Sequence, residues 1–376
     1  MSAATRATAR TVALCTAGEL YGGIESFVLA LARRLHTSGD AKVLCVLFQD
    51  GELADELRKN DLPVQIVRER HKYDLGVIGQ LRAVFAKGNV EIVHTNGYKA
   101  NLLCGIAGRW AGAKVVKTEH GAVETDRGRA RLKMQLNVKI AELVSMVTHN
   151  AVVFVSNDLA CQGRGRPEGT VQAVIYNGVE VNGDGAAGRT ESSLAGTRRF
   201  RVGVIGRLVK VKGHLYLLRA LRQLRDLDDL EVHVFGTGPL EDELRQYCAA
   251  HGLSERVVFR GFVRPMEPHL SDLDAMAIPS LQEGIPYAML EGMAQSLAIV
   301  ASAVGGIPEI LRDGDTALLV PPREQDALAG AIRSLYVDPG LLSRLGKASQ
   351  VKVATDLSVA VMAGRYLDLY DRLASP

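Results

Sequence analysis

The chain has 376 residues, of which 47% are hydrophobic and 23% are charged, and its formal net charge at pH 7 is +3. This near balance of charges excludes the strongly basic surface of a general nucleic-acid-binding protein. The length predicts two or three domains. The five cysteines are scattered, without the spacing of a zinc site or a disulfide framework, which favours a reducing cytoplasm.

The N-terminal region superficially resembles a signal peptide, because Arg6 and Arg10 precede the apolar run Thr11–Ala17. This run is short, and Gly18 and Glu19 interrupt it, so we interpret it as a first strand after a loose arm. No stretch approaches the ~18 consecutive apolar residues of a membrane-spanning helix. We therefore expect a chain that does not cross a bilayer but can lie on one.

In the first half of the chain, short apolar runs alternate with stretches of helical periodicity. This alternation predicts a parallel, doubly wound sheet. The predicted strands are Val12–Thr16, Val43–Phe48, Val64–Val67, Ile92–His94, Val115–Thr118, Val152–Val155 and Val171–Tyr176. The predicted helices are Ser26–His36, Leu75–Ala86, Leu102–Ala111 and Leu132–Val147.

The glycine-rich, polar segment 183–199 interrupts this pattern and predicts an interdomain linker. The sequence thus predicts a first domain over 1–182, a second over 200–358, and a C-terminal helix over 359–376 that packs back on the first domain. The strands predicted in the second domain are Val202–Ile205, Val232–Phe235, Val257–Phe259, Ala275–Ile278, Ala298–Ala301 and Ala317–Val320. The helices predicted from here on are His214–Leu224, Leu240–His251, Ala327–Tyr336 and Val359–Leu373.

A basic, glycine-bounded segment, Gly206-Arg-Leu-Val-Lys-Val-Lys-Gly213, connects a predicted strand to a predicted helix. A diphosphate needs fixed cations and open backbone, and the N-terminus of a helix adds a partial positive charge. Arg207 and Lys212 are therefore candidate phosphate ligands. The alternative is a solvated basic turn.

Two glutamates flank the start of another predicted helix in Glu283-Gly-Ile-Pro-Tyr-Ala-Met-Leu-Glu291. Pro286 fits a first helical turn, where its missing N–H is not needed, so Glu283 precedes the helix and Glu291 lies inside it. A carboxylate can accept two vicinal hydroxyls of a ribose or hexose. An ordinary helix start with a surface glutamate is the alternative. The backbone N–H groups expected to point at the ligand are those of Gly284, Ile285 and Tyr287.

Three further loops follow predicted strands and can be either ligand loops or structural turns. They are Gly236-Thr-Gly238, Gly261-Phe-Val263 and Gly305-Gly306-Ile-Pro-Glu309. Asp313-Gly-Asp315 imitates a metal-binding pair, but it lies where a turn is expected before an apolar strand. We therefore expect no metal site there.

In the first half, Gly22-Gly23 follows the first strand, and Glu119-His120-Gly121 ends the fifth. The glycine pair lacks the full Gly-x-Gly-x-x-Gly fingerprint, which argues against a nicotinamide enzyme. A histidine at a strand end can donate to a sugar hydroxyl or position a leaving group, or it can be an ordinary buried histidine.

Basic and apolar residues alternate near residue 130, where the sequence predicts a helix. This pattern fits either an interfacial helix on an anionic membrane or a basic surface helix. The basic residues are Arg127, Arg129, Arg131, Lys133 and Lys139.

In this order, the motifs resemble those of the retaining GT-B glycosyltransferases of the family-4 type. The resemblance implies an α/β protein with the GT-B fold, in which two Rossmann-like doubly wound domains face a central cleft. It implies hexosyl transfer from a nucleoside-diphosphate sugar to a glycan or lipid-linked acceptor in polysaccharide or glycolipid biosynthesis, without a metal. The motifs are Gly22-Gly23, His120-Gly121, Gly206-Arg207 with Lys212-Gly213, Gly236-x-Gly238, Gly261-Phe-Val263, Glu283-x7-Glu291 and Gly305-Gly306-x-Pro-Glu309.

The resemblance also implies roles for single residues. Arg207 and Lys212 hold the diphosphate, Glu291 the ribose and Glu283 the donor sugar. The implied catalytic residues are His120, Arg207, Lys212 and Glu283. The implied substrate-binding residues are Gly22, Gly23, Gly206, Gly238, Val263, Gly284, Ile285, Tyr287 and Glu291. The donor base, the sugar and the acceptor stay open, as do a sugar-nucleotide epimerase or a non-catalytic binding domain on the same architecture.

Overall fold

The computed structural model describes residues 9–19, 21–70, 74–121, 129–162, 169–181 and 199–374. The chain divides into two compact units. The first comprises Met1–Gly178 with Val359–Pro376, and the second comprises Val179–Ser358. The predicted linker 183–199 lies outside the described residues, apart from residue 199.

The first unit contains seven strands, all joined in one parallel sheet. They are β1 (Arg10–Thr16), β2 (Ala41–Leu47), β3 (Val64–Ile66), β4 (Ile92–Asn96), β5 (Lys114–Glu119), β6 (Ala151–Phe154) and β7 (Val171–Val174). Their spatial order is β3-β2-β1-β4-β5-β6-β7, so the order reverses between β1 and β4. Val12–Cys15 in β1 are fully buried, as expected for a parallel strand covered by helices on both faces.

The helices of this unit alternate with its strands, which confirms the predicted α/β class. They are α1 (Gly23–Ser38), α2 (Glu52–Lys59), α3 (Gly76–Lys87), α4 (Tyr98–Trp110), α5 (Arg129–Thr148) and α6 (Asn157–Gln162). The sequence analysis did not predict α2 and α6, which have only 8 and 6 residues. Such short helices show too few apolar repeats to reveal their period.

The second unit contains a six-stranded parallel sheet in the order β10-β9-β8-β11-β12-β13. Its strands are β8 (Phe200–Ile205), β9 (Leu230–Phe235), β10 (Val257–Gly261), β11 (Ala275–Ile278), β12 (Ala298–Ser302) and β13 (Leu318–Val320). The strand order reverses between β8 and β11. Two doubly wound sheets were predicted, and two are found.

The helices of the second unit include one long helix that the sequence analysis missed. They are α7 (His214–Leu221), α8 (Glu241–Ala250), α9 (Glu267–Ser271), α10 (Tyr287–Ala294), α11 (Ile307–Ile310), α12 (Gln325–Val337) and α13 (Pro339–Asp356). The missed helix is α13, which has 18 residues. Its buried face includes Gly346 and Ser349, so the apolar repeat is weak. A Cβ at Gly346 would stand 2.1 Å from the carbonyl oxygen of Ser296, so the glycine lets α13 approach that backbone closely.

The last helix, α14 (Val359–Ala374), belongs to the first unit. Two of its tyrosines are fully buried and bind the central strands. The hydroxyl of Tyr370 lies 2.7 Å from Nδ1 of His94, and that of Tyr366 lies 2.9 Å from Oγ1 of Thr118. Nε2 of His94 lies 2.7 Å from the same Thr118 oxygen, which closes the network. None of the helices in the described ranges is both long and apolar enough to cross a membrane.

Candidate active site

In the second unit, the loops with the predicted phosphate and sugar ligands follow two adjacent strands. β8 ends before Gly206, and β11 ends before Pro279. The strand order of the sheet reverses between them, and ligands of doubly wound sheets bind beside the carboxyl ends of strands at such a point. The fold therefore brings two predicted motifs, about 75 residues apart in sequence, to one place.

The two predicted ligand types contact each other directly. Nζ of Lys212 lies 2.8 Å from Oε1 of Glu283, and the Ser280 hydroxyl donates to the same oxygen at 2.8 Å. The Glu283 side chain is 9% exposed and that of Lys212 is 23% exposed. A half-buried ammonium is thus fixed by a carboxylate that is itself fixed by a buried hydroxyl. The sequence analysis singled out Lys212 and Glu283 as separate ligands, but it predicted neither their contact nor Ser280, which lies three residues before Glu283.

Gly213, which ends the basic loop, has a backbone that only glycine tolerates easily. Its φ is 70°, and a Cβ there would stand 1.9 Å from the carbonyl oxygen of Pro279. The loop after β8 is therefore packed directly on the loop after β11. This contact places Lys212 within reach of Glu283.

Gly305 meets the same requirement on the other side of Glu283. Its φ is 55°, and a Cβ would stand 1.8 Å from the Glu283 carbonyl oxygen. The N–H of Gly306 also donates to the carbonyl oxygen of Gly284 at 3.1 Å. The space beside Gly305 and Gly306 is thus occupied by the backbone of Glu283 and Gly284. This contact supports the interpretation of the loop as a structural turn.

The turn Gly236–Gly238 and the residues after it are hydrogen-bonded to the backbone of the basic loop. The N–H of Leu208 donates to the Thr237 carbonyl at 2.9 Å, and the N–H of Leu240 donates to the Leu208 carbonyl at 3.0 Å. Gly238 lies against Leu208 itself, so packing explains its presence without a ligand. Arg207, next to Leu208, is exposed.

Glu291 is half-buried on α10, and burial raises the pKa of its carboxyl group, while the charge of Arg264 opposes that rise. The neighbouring Met289, Leu290, Met293 and Ala294 form the predicted buried stripe. The helix begins at Tyr287, with Pro286 as its N-cap, so Pro286 precedes the first turn rather than lying in it. Arg264 is a candidate that the sequence analysis missed, although it directly follows the predicted base contact Val263.

The remaining predicted ligands of the second unit lie in the loops after β8, β10 and β11 and at the start of α10. Gly284 and the side chains of Ile285 and Tyr287 are buried, Val263 is half-buried, and Gly206 follows β8 with a φ of 156°. Beyond them, Asp313 accepts a hydrogen bond at 2.9 Å from the N–H of Leu319 and lies in a tight turn. Among the described residues, no group of three or more His, Cys, Asp or Glu side chains is placed to hold a metal ion.

In the first unit, the glycine pair lies at the start of α1. Gly22 is the N-cap and Gly23 the first helical residue, and both are exposed. The N–H of Gly22 donates to Oε2 of Glu25 at 3.1 Å, so this N–H already has a partner within the chain. Burial raises the pKa of the Glu25 carboxyl, and the hydrogen bonds from the backbone oppose that rise.

His120 directly follows β5, and Nε2 of its ring lies 2.9 Å from Oδ1 of Asn96 at the end of β4. Its ring stands edge-on to Phe27, with 4.8 Å between centroids. Burial lowers the pKa of His120 to about 4, so the ring is neutral near pH 7. An amide oxygen accepts from Nε2–H, which leaves Nδ1 as an acceptor that no other described residue binds.

A pocket of the first unit opens beside His120, and charged side chains line it. They include Glu142 on α5 and Lys117, which is only 4% exposed and forms an ion pair with Glu119 on the same strand. Asn101 and Tyr98 of α4 complete its polar wall. The sequence analysis missed Lys117 because a lysine inside a strand carries no motif.

The predicted membrane contact is only partly within the described residues. Arg127 lies outside them, as do the side chains of Arg129, Arg131 and Lys133. Lys139 is described and exposed.

Two family models match the chain, one for each half. Residues 21–182 match the model of Glycosyltransferase Family 4, and residues 199–338 match that of Glycosyl transferases group 1. The chain belongs to the group 1 GT-B glycosyltransferases. The family predicted from the sequence is therefore confirmed.

Individual relatives and solved structures agree with this membership. The chain is 32% identical over 173 residues, 46% of its length, to a lipopolysaccharide core biosynthesis glycosyltransferase LpsD of Rhizobium meliloti, and it spans only half of that relative. It is 25% identical, over 79% of each chain, to an Escherichia coli UDP-Gal:alpha-D-GlcNAc-diphosphoundecaprenol alpha-1,3-galactosyltransferase. Anabaena HepE, solved in complex with UDP-glucose, superposes with a TM-score of 0.81 at 22% identity, covering 96% of this chain and 99% of HepE. This superposition confirms the GT-B fold.

Proposed function

We propose that the protein is a retaining, metal-independent glycosyltransferase that moves a hexose from a nucleoside-diphosphate sugar to a glycan or lipid-linked acceptor, in polysaccharide or glycolipid biosynthesis. The observation that carries this proposal is the contact between Lys212, Glu283 and Ser280 beside the two strand ends where the sheet order reverses. The names of the relatives support it, because they include a lipopolysaccharide glycosyltransferase and an enzyme acting on a diphosphoundecaprenol-linked sugar.

In this proposal, Arg207 and Lys212 offset the negative charge that develops on the departing nucleoside diphosphate. The ion pair with Glu283 keeps Lys212 in place before the donor arrives, so little reorganisation is needed when it binds. The two cations would take the part that a divalent metal plays in other transferases. Glu283 also presents its carboxylate to donor-sugar hydroxyls.

Glu291 is the proposed ligand of the ribose hydroxyls. Burial raises its pKa, and a donor that supplies two hydroxyl donors would stabilise the ionised carboxylate. Arg264 opposes the effect of burial on this pKa and so favours the charged form of the acceptor. Val263 is proposed to contact the base through its backbone.

His120 is proposed to contact the donor sugar as a neutral hydrogen-bond acceptor through Nδ1. A pKa of about 4 makes it a poor proton donor near neutral pH. Deprotonation of the acceptor is then assigned to the departing phosphate oxygen on the same face of the sugar, which accounts for retention. The low pKa also weighs against the epimerase alternative, which needs a proton donor beside the sugar.

We assign the acceptor to the first unit, in the pocket beside His120. Its charged side chains, Lys117, Glu119 and Glu142, sum to a negative charge, which favours neutral hydroxyls over a phosphate group. The cytoplasm is the proposed compartment, in keeping with five free cysteines, of which four are buried.

The donor site is tested by thermal shift of the purified protein with UDP, GDP, ADP and their sugars, in the presence of a chelator. We expect one base to raise the melting temperature selectively. Lys212→Ala should abolish the shift, and Lys210→Ala, which removes an exposed lysine of the same turn, should keep it. A protein that responds to none of these nucleotides would contradict the proposal.

Catalysis is tested separately by following nucleoside-diphosphate release with and without candidate acceptors. Release that depends on an acceptor supports the transferase. Interconversion of donor sugars without release would indicate an epimerase. Donor binding with neither reaction would indicate a non-catalytic domain.

A further inference from the structure

The pocket beside His120 has an oriented amide group in its wall. Asn101 is only 6% exposed, and it lines this pocket from α4. The Thr95 hydroxyl donates to Oδ1 of Asn101 at 2.7 Å. Asn101 therefore uses its acceptor within the chain, while none of the described residues accepts a hydrogen bond from its Nδ2 group. Leaving a buried donor without a partner costs free energy, so this group indicates a ligand.

A neighbouring histidine fixes which end of the Asn101 amide is free. Nδ1 of His149 lies 2.9 Å from the Thr148 hydroxyl, and Nε2 lies 3.2 Å from that of Thr95. Burial lowers the pKa of His149 to about 3, so near pH 7 the ring is neutral and carries one N–H. The Thr148 hydroxyl donates to Nδ1, so the ring hydrogen is on Nε2 and is donated to Thr95. Thr95 in turn donates to Oδ1 of Asn101, which leaves both N–H groups of Nδ2 for the pocket.

The second polar group that the pocket offers is a carboxylate. Glu142 lines the pocket from α5, and it has no ion pair within the described part of the chain. The other two charged residues of the lining, Lys117 and Glu119, neutralise each other in an ion pair. Glu142 therefore gives the pocket its net negative charge, and it can accept a hydrogen bond from an N–H or O–H of a ligand.

Aliphatic side chains line the same pocket. Val138, Ala141 and Glu142 occupy positions i, i+3 and i+4 of α5, so they share one face of the helix. Ile24 of α1 is a further apolar residue of the lining. A ligand of this pocket thus meets a hydrogen-bond donor, a hydrogen-bond acceptor and an aliphatic surface.

We propose that this pocket binds an acetamido group, so that the acceptor substrate is an N-acetylated amino sugar. The acetamido carbonyl accepts from Nδ2 of Asn101, and the acetamido N–H donates to Glu142. The acetyl methyl group contacts the aliphatic surface of Val138 and Ala141. This inference rests on the proposed assignment of the acceptor to the pocket beside His120.

Other substituents of a sugar match the pocket less well. An anionic substituent is repelled by the net negative charge. A protonated amine satisfies Glu142 but offers no acceptor to Asn101. A hydroxyl can satisfy both polar groups, but it leaves the aliphatic surface in contact with water, whereas burial of a methyl group there is favourable. The acetamido group is the substituent that meets all three features of the lining.

The test compares the affinity of the full-length protein for methyl glycosides of N-acetylglucosamine, N-acetylgalactosamine, glucose and galactose. Ligand-observed NMR measures these affinities in the absence of a sugar donor. We expect at least one acetamido glycoside to bind roughly tenfold more tightly than its parent hexoside, the effect of about one added hydrogen bond. Saturation transfer from the protein should be strongest at the acetyl methyl group.

Asn101→Asp tests the amide donor. The substitution removes the N–H groups of Nδ2 but keeps an oxygen that can accept from Thr95, and it should reduce the acetamido preference to about twofold or less. The matched control is Asn137→Asp, which adds the same charge at a half-buried position of α5 outside the pocket lining. It should keep the preference of the unsubstituted protein.

Val138→Thr tests the methyl contact. It replaces a methyl group of the lining by a hydroxyl of similar size, so the acetamido preference should fall severalfold. Val144→Thr makes the same change at a half-buried position of α5 outside the lining and should have no effect. If Asn101→Asp loses its melting transition, Val138→Thr still tests the pocket.

The inference is overturned if the acetamido glycosides bind no better than the hexosides, which includes binding of neither. It is also overturned if Asn101→Asp and Asn137→Asp show the same preference. Failure of the proposed function gives a different result, because the acetamido preference would persist without a nucleotide-induced shift or acceptor-dependent nucleoside-diphosphate release. A transferase that lacks the acetamido preference would contradict the inference alone.

Discussion

The candidate sites of the two units are built in different ways. In the second unit, loops after β8, β11 and β12 are held by direct backbone contacts at Gly213 and Gly305, with the ion pair of Lys212 and Glu283 between them. In the first unit, His120 is held by side chains from elements far apart in sequence. The comparison teaches that a site held by loop backbone leaves short glycine-containing motifs in the sequence. A site held by buried side chains from distant elements leaves no such motif.

The largest expected effect comes from breaking the charged contact of the second unit. Glu283→Gln should lower turnover roughly a hundredfold to a thousandfold, the range seen when one stabilising polar group is removed from a catalytic site. The amide can still accept from Ser280, so the fold should persist. The measurement is the rate of acceptor-dependent nucleoside-diphosphate release.

Glu267→Gln, at an exposed position on α9, serves as the control for the same chemical change. It should leave turnover unchanged. Turnover of Glu283→Gln within a few-fold of the unsubstituted protein would remove Glu283 from the site.

The backbone contact of the second unit is tested by Gly213→Ala. The added Cβ would collide with the Pro279 carbonyl at 1.9 Å in a backbone with φ of 70°, so we expect unfolding to become easier by about 3 kcal/mol or more. Urea unfolding measures this change.

Gly252→Ala is the matched control, because Gly252 has a φ of 66° and no atom within 4 Å of the added Cβ. It should cost only about 1 kcal/mol, the backbone term alone. Equal losses in the two variants would mean that the contact between the loops contributes nothing.

The side-chain network of the first unit is tested by Tyr370→Phe. This change leaves Nδ1 of the fully buried His94 without its partner at 2.7 Å, and an unsatisfied buried polar group costs about 1–3 kcal/mol. The measurement is urea unfolding followed by a probe in the first unit.

The control is Tyr247→Phe, which removes a hydroxyl that accepts a 3.3 Å hydrogen bond from Arg222 at an exposed site. Its expected cost is below about 0.5 kcal/mol. If Tyr370→Phe costs no more than Tyr247→Phe, the buried hydrogen-bond network does not anchor α14. The first unit would then not be held by buried side chains in the way that the comparison assumes.

The same contrast explains what the sequence could predict. All thirteen strands of the described residues were expected, because parallel strands buried on both faces are continuous apolar runs. Glu283 and Lys212 were identified from motifs at strand ends, and their pairing follows from the strand order. Buried Lys117 and the hydrogen bond of His120 to Asn96 were not predicted, because they depend on which strands are neighbours and which face each residue occupies.

The smallest expected effect concerns pH and sharpens the role of Glu291. Burial raises the pKa of this carboxyl above its ordinary value, and the ionised form accepts hydrogen bonds from two hydroxyls more strongly than the protonated form. Donor affinity should therefore be highest well above the raised pKa and should fall as the pH is lowered through it. The fall should start at a higher pH than it would for an exposed glutamate. Without donor the sign is opposite, because a raised folded-state pKa means that protonation stabilises the fold as the pH falls.

Calorimetric titration of the nucleoside diphosphate from neutral to acidic pH measures this dependence. Glu291→Gln should bind more weakly at neutral pH and lose this part of the pH dependence. Arg264→Ala should move the loss to higher pH, because the cation that opposes the pKa rise is gone. A profile that is the same in all three proteins would show that Glu291 does not contact the donor, and would leave the pair of Lys212 and Glu283 as the centre of the site.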